Sequence, residues 1–365
     1  MQIKESHRLE QLAHMGLPEQ IFIPALLQEL HHSIPSFSNT FCWQDDKGKL
    51  NNIYDESIST DAINNFITAL SSSEPDKYTH TTQWVSKIDK ITTTREFYGQ
   101  CPQVADFYKT ILLPLGYQNS CYVPIFCPMN GYRIGVLMIH RKRRDPDFSE
   151  KERTFLSYVA KTIALACQRP SDPDLYTIDG WEQGMLTINT GAQLQYGCSM
   201  GLKLLALASS AKFDNSNKAA ATNINYFTGL SNLIDSLLSS KKNHNDNINP
   251  VLTERNAWGE FKLRGFLITD LKSDGPPQIG LHICWQEPFI LKLFHRIKRL
   301  NLTPRQETVS LFYAAGLQLQ SIANKLDISL HTVKEHIRNI SERLKIKTRA
   351  DLLALILSDI NLDSN

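Results

Sequence analysis

Residues 302–357 read LTPRQETVSLFYAAGLQLQSIANKLDISLHTVKEHIRNISERLKIKTRADLLALIL. Their punctuation sets out a run of short helices. Thr303 caps the first, Pro304 suits its first position, and Gln306 closes a capping box. Gly316 ends that helix, because glycine enters the left-handed region without steric cost. A second helix has Ile322, Ala323 and Leu326 facing inward. Asp327 and Ile328 turn the chain, and Ser329 caps a third helix. There Val333, Ile337, Ile340 and Leu344 recur every three or four residues as one apolar stripe. His331, Lys334, Glu335, Arg338, Ser341, Glu342 and Lys345 occupy the other faces.

A short helix, a tight turn and a helix with a buried stripe and a basic outer face make a helix-turn-helix. A major groove admits one such helix, and Lys or Arg donors match guanine acceptors there. Charge agrees. From Lys292 to Arg349 there are twelve Lys or Arg against four Asp or Glu, while the remainder carries 27 basic against 33 acidic residues. A basic block on an otherwise acidic chain points to a polyanion partner.

The residues in this block resemble the LuxR-type (NarL-like) four-helix DNA-binding domain. Its pattern runs L-T-P-R-E, G-L-x-x-x-x-I-A, then I-S-x-x-T-V-K-x-H-x-x-N-I. This chain has Leu302–Arg305, Gly316-Leu317, Ile322-Ala323, Ile328-Ser329, Thr332–Lys334, His336 and Asn339-Ile340, closing with Arg343-Leu344 and Thr348–Ala350. The resemblance implies that Lys334, Glu335 and Arg338 face base edges. It also implies that Thr332, Lys345, Lys347 and Arg349 lie near phosphates, where contacts position without specifying. Ala350–Leu357 becomes a fourth helix that pairs two copies on DNA, with Leu353 and Leu357 as the dimerisation residues. Gln306 departs from the usual Glu and still caps. Leu319, Gln320 and Ser321 replace a typical N-K-E run, which weakens phosphate contacts from the second helix. Glu335 stands where a small or apolar residue is common. It either accepts from cytosine N4 or pairs on its own helix, with Arg338 as the nearest partner.

Upstream, Ser120–Arg141 reads as a hairpin: Cys121, Val123, Ile125 and Cys127 alternate, Asn130-Gly131 signals the turn, and Ile134, Val136 and Met138 alternate on return. Ser149 and Glu152 then open a helix lined by Phe155, Leu156, Val159, Ile163 and Ala164. Residues 39–54 form another hairpin turning at Asp45–Gly48, with helices at about 19–32 and 60–71 around it. The order helix, hairpin, helices, hairpin, helix resembles a GAF domain over residues 15–168. After a polar linker, Gly184–Asn189 and Ala192–Tyr196 bracket a turn at Thr190-Gly191. A helix from Gly201 to Ala208 follows, then a polar loop at Ser239–Pro250 and an antiparallel pair, Gly259–Thr269 with Gln278–Trp285. That stretch is similar to a PAS domain. A second GAF-like sheet, or a connector, fits the same pattern.

The expected fold class is α+β multidomain: GAF-like and PAS-like antiparallel sheets with flanking helices, then an all-α four-helix helix-turn-helix domain. The expected boundaries are 1–168 GAF-like, 169–175 linker, 176–292 PAS-like and 293–365 DNA-binding. At 365 residues and 42% apolar, the chain has material for several cores. No apolar run reaches the roughly 20 residues of a membrane helix, and the N-terminus lacks a signal peptide, so the expected location is cytoplasmic. Seven scattered cysteines without CxxC spacing argue against structural zinc. His31-His32, His140 and His282 are candidate haem or metal ligands, but the required spacing is absent. Trp43, Tyr54, Tyr98, Phe107, Tyr108, Tyr122 and Phe126 suit a core better than a pocket. Arg141–Arg144 reads as a solvated strand edge. There is no phosphate loop, carboxylate pair or GxSxG, so no enzymatic activity is expected and no cofactor is indicated. The residues point to a bacterial transcription regulator, an activator by resemblance. Its partners are an operator in double-stranded DNA, a second copy, and a small-molecule ligand or RNA polymerase. The alternative makes the first 290 residues an interaction and dimerisation scaffold without a small ligand.

Overall fold

A computed structural model describes residues 2–44, 50–56, 88–98, 113, 116–142, 144–168, 177–209, 230–242, 250–256, 259–268 and 277–358. The helix expected near 60–71, the Asp45–Gly48 turn, Phe107, Tyr108 and the linker at 169–175 lie outside the described residues.

The first unit is an antiparallel sheet packed on helices. Helices α1 (Gln2–His14) and α2 (Glu19–Leu30) precede strands β1 (Ser38–Gln44), β2 (Leu50–Asp55) and β3 (Thr92–Thr93). Helix α3 (Thr94–Tyr98), strands β4 (Asn119–Phe126) and β5 (Arg133–Arg141), and helix α4 (Glu150–Cys167) complete it. The strand order is β2-β1-β5-β4-β3. The expected hairpin is present, with Cys121 opposite Ile139 and Val123 opposite Leu137. These four join the helix-packed core. Val136, Met138 and Tyr122 take the opposite face and are buried as well. Asn130-Gly131 sits in a longer loop than a two-residue turn, closed by Cys127 N donating to the Tyr132 carbonyl. Ser149 and Glu152 form the expected capping box of α4.

One expectation here is corrected. Arg141 is not a solvated edge residue: it is 2% exposed. Its guanidinium donates to the carbonyls of Pro35, Pro146 and Asp147 and to Glu152. A strand-end arginine survives burial because its donors are spent on carbonyls and a carboxylate. Its neighbours Lys142 and Arg144 are exposed.

The second unit contains β6 (Thr177–Ile188), β7 (Leu194–Gly197), helices α5 (Ser199–Ser209) and α6 (Leu230–Lys242), then β8 (Val251–Asn256), β9 (Gly259–Ile268) and β10 (Gln278–Pro288). Its order, β7-β6-β10-β9-β8, repeats that of the first sheet. The expected β9–β10 pair is antiparallel. Residues 239–242 are the last turn of α6 and not loop, because Leu233, Ile234 and Leu237 bury a stripe that carries the helix past them. Gly184 and Gly201 let α5 start against β6: a Cβ on Gly184 would stand 2.2 Å from the Gly201 nitrogen.

Helix α7 (Phe289–Ile297) continues from β10 without a break and spans the expected boundary at 292/293. The C-terminal helices are α8 (Pro304–Ala314), α9 (Leu319–Leu326), α10 (Leu330–Leu344) and α11 (Arg349–Leu357). Their core is continuous with that of the first unit. The second sheet has its own core around Leu186, Phe261, Leu263 and Leu281.

Candidate nucleic-acid interface

Local signals place every helix of the C-terminal domain. Thr303 accepts from Gln306 N and the reciprocal bond closes the box, with Pro304 at the first helical position. Gly316 adopts φ +103°, and Leu317 N reaches back to the Phe312 carbonyl. Asp327 turns the chain at φ 52°, and Ser329 caps α10 by accepting from Thr332 N. Thr348 and Asp351 form a third capping box at the start of α11, a signal the sequence carries plainly. The Asp351 carboxylate accepts from the backbone of Lys347 and Thr348, and those bonds hold it below the usual carboxylate range.

Helix α10 has one buried and one exposed face. Val333 and Ile340 are buried, and Ile337 and Leu344 are half-buried on the same stripe. Lys334, Glu335 and Arg338 are all exposed. His331, Glu335, Arg338 and Glu342 lie opposite the stripe, with Lys334 and Lys345 on one shoulder. Glu335 and Arg338, the on-helix pairing offered as one of two readings of Glu335, do not pair with each other. Glu335 lies 3.9 Å from His331, and Arg338 lies 3.9 Å from Glu342. Exposed contacts at that distance are worth little, so these side chains can be recruited by a partner at small cost.

The expected phosphate-side residues divide. Lys345 and Lys347 are exposed near the end of α10, and Thr332 is half-exposed with its hydroxyl 2.8 Å from that of Ser329. Arg349 is committed to the fold: it donates to the carbonyls of Gly316 (3.2 Å) and Leu317 (3.0 Å) and lies over the Tyr313 ring. Arg343, part of the closing signature but given no contact there, donates to the Asn301 carbonyl at 2.6 Å. No local pattern marks either tie, since each acceptor lies more than 30 residues away. On α11, Leu352 and Ile356 are buried, while Leu353 and Leu357 are half-buried against the same core.

The histidines considered as ligands all have protein partners. His31 contacts Glu56 (2.7 Å) and Ser36 (2.9 Å), His32 lies 4.0 Å from Glu29, and His282 contacts Gln183 (3.1 Å). His140 bonds Ser120 and Thr40. No group of three or more potential metal ligands occurs among the described residues. Trp43 and Tyr122 are buried, Tyr54 bridges the two cores, and Phe126 is exposed at a hairpin tip. No helix among the described residues is long and apolar enough to cross a membrane.

Comparison with known proteins agrees with this geometry. Residues 300–356 match the family of bacterial regulatory proteins of the luxR type, and residues 70–167 match the GAF domain. Over 51 residues the chain is 37% identical to the nitrate/nitrite response regulator protein NarL of Escherichia coli K12, and equally to that of strain O6:H1. That match covers 14% of this chain and 24% of the NarL relatives' length. Among solved structures, the E. coli DhaR(N)–DhaL complex is 11% identical with a TM-score of 0.25, covering 76% of this chain and 88% of that one. The phage VqmA–DPO complex is 15% identical with a TM-score of 0.19, covering 50% and 88%. At these scores the likeness is too slight to inform fold or function.

Proposed function

We propose that this chain, which carries a LuxR-family DNA-binding domain behind a GAF domain, is a transcription activator that grips its operator as a homodimer. The reading rests on one observation above the others: a basic, exposed face of α10 built on a buried stripe within the matched domain. Lys334 and Arg338 donate to base edges, and Glu335 accepts from cytosine N4. Thr332, Lys345 and Lys347 hold the phosphates, while Arg349 steadies α11 against α8. Leu353 and Leu357 meet the second copy. The first two units read a signal or pass it on, and RNA polymerase is the partner of the active state. With an operator as its target, the protein acts in the bacterial cytoplasm.

Selection of bound duplexes from a random pool with the full chain supplies the operator. Against that operator, Lys334→Ala and Arg338→Ala each weaken binding by about 1–3 kcal/mol and relax preference at one base. Lys347→Ala weakens all sequences alike and lowers the salt dependence. Unchanged affinity and preference in Lys334→Ala would move the recognition face elsewhere.

A second reading keeps DNA binding and makes the first two units a scaffold without a small ligand. One observation favours it. On the first sheet, Ser120 donates to His140 Nδ1 (2.7 Å), His140 Nε2 to Thr40 (2.8 Å), and Thr40 to Asp55, which also accepts from Tyr117 (2.8 Å). Polar groups that satisfy one another leave less for a ligand to bind. A thermal-shift screen separates the readings, since a ligand of the folded state raises Tm by mass action.

A further inference from the structure

Helix α7 is buried on more than one side. Ile290, Leu291, Leu293, Phe294 and Ile297, five of its nine residues, are buried. One side meets β6 and β10, and another meets α8 and α11. From a third direction the Arg8 guanidinium of α1 lies 3.4 Å from the centre of the Phe294 ring and donates to the Phe294 carbonyl. Arg8 also forks onto Glu29 of α2 (3.1 and 3.3 Å), and Lys298, just past α7, reaches both oxygens of the same carboxylate at 3.2 Å. Arg8 and Glu29 are each 7% exposed. The Arg8–Glu29 pair is dry, so either charge left without a partner would be costly. Helix α1 has a second grip on the C-terminal domain. Gln11 donates to the Thr308 hydroxyl (2.9 Å), and His7 Nε2 donates to the Pro304 carbonyl (2.6 Å).

This docking leaves the outer face of α10 open and takes up α11 instead. Arg296 Nη1 of α7 donates to the Leu357 carbonyl at 2.6 Å, and Arg299 reaches the Ser358 carbonyl at 3.5 Å. Between α7 and α8, every large apolar side chain of α11 is buried or half-buried. Only Ala350, Asp351 and Ala354 are exposed. A second copy approaching α11 in this arrangement meets Leu353 and Leu357 only as half-buried side chains.

We propose that α7 and a second copy of this chain compete for α11, and that the Arg8–Glu29–Lys298 clamp sets the balance. The clamped form is self-docked and pairs weakly. Loosening the clamp lets α7 leave α11, and Leu353 and Leu357 become available to the partner. The inference rests on the proposed dimerisation through α11 and adds what restrains it. Regulation then acts on assembly, not on the recognition face.

Sedimentation velocity of the full chain without DNA tests the competition directly, on wild type, Arg8→Ala and Arg296→Ala. None of these residues lies on the outer face of α10. Lys298 remains to pair Glu29 in Arg8→Ala, and Arg296→Ala leaves the charge cluster untouched, so one stands in if the other fails to fold. Each variant is expected to dimerise about tenfold more tightly than wild type, because a larger fraction is competent to pair. Adding Leu353→Asp to either is expected to abolish the gain. Folded variants with wild-type self-association would overturn the proposal, and so would a gain that survives Leu353→Asp. Failure of the DNA-binding reading is visible separately: association would change while no duplex is retained from the random pool.

Discussion

His140 has no exposed surface, and burial pushes its imidazole down to about 4 from an ordinary 6.5. It is held neutral, stacked on Tyr117 at 4.1 Å and bonded through both nitrogens. Between those two values the unfolded chain takes up a proton that the folded chain refuses. Stability is therefore full above about pH 6.5 and falls as the pH drops toward 4, by on the order of 3 kcal/mol for this residue. Urea midpoints followed across that window should slope downward for wild type, and His140→Gln should flatten the slope. An unchanged slope would assign the acid sensitivity to other groups. At this scale the sequence is legible where partners are near in the chain. The caps Thr303, Ser329 and Ser149 work within three residues. Arg8, Gln11 and Arg141 read as surface by their chemistry and are buried all the same, because partners such as Phe294, Thr308 and Pro35 come from distant segments.

Among the elements, α7 departs most from what its sequence suggests. A boundary at 292/293 follows from the onset of basic charge, yet helix formation runs through it because apolar residues continue from Ile290 to Ile297. Elements whose apolar face is diluted were also hard to read. Helix α6 is rich in Ser, and β8 (VLTERN) is an edge strand with little apolar alternation. At the head of α7 sits Glu287, 4% exposed, with Oε1 lacking a hydrogen-bond partner. Burial pushes its carboxyl up to about 7, against a smaller opposing pull from Lys292. The sign is the reverse of that for His140. Between about 4.5 and 7 the folded chain keeps a proton that the unfolded chain has lost, so stability falls as pH rises through that window. Glu287→Gln should stabilise the protein by up to about 3 kcal/mol near pH 8 and by nothing near pH 4.5. Equal effects at both would mean the carboxyl ionises freely in the fold.

Across the whole molecule, two sheets share one strand order without a visible sequence repeat, and they differ in what they pack against. The first sheet shares a continuous core with the C-terminal helices, through α1, α2 and α7. The second keeps a separate core, which meets the first at half-buried Tyr54 and Trp285 and where α7 packs against β6 and β10. Sequence patterning exposes each unit's own periodicity. It does not expose this sharing, which depends on which face of one unit meets which face of another. The sharing has a measurable consequence. Leu137 of the first sheet and Leu281 of the second are both fully buried leucines. Truncation of either to alanine costs roughly 2–5 kcal/mol where it acts. Local stability follows cooperative units and not chain order. Leu137→Ala should therefore speed hydrogen exchange at Ile322 and Ala323 in α9, although nearly 200 residues of chain intervene. Leu281→Ala, much nearer in sequence, should speed exchange in β9 and β10 and leave α9 protected. If the ranking followed sequence distance instead, the C-terminal domain would fold on its own core, and the docking through α1 and α7 would add nothing to its stability.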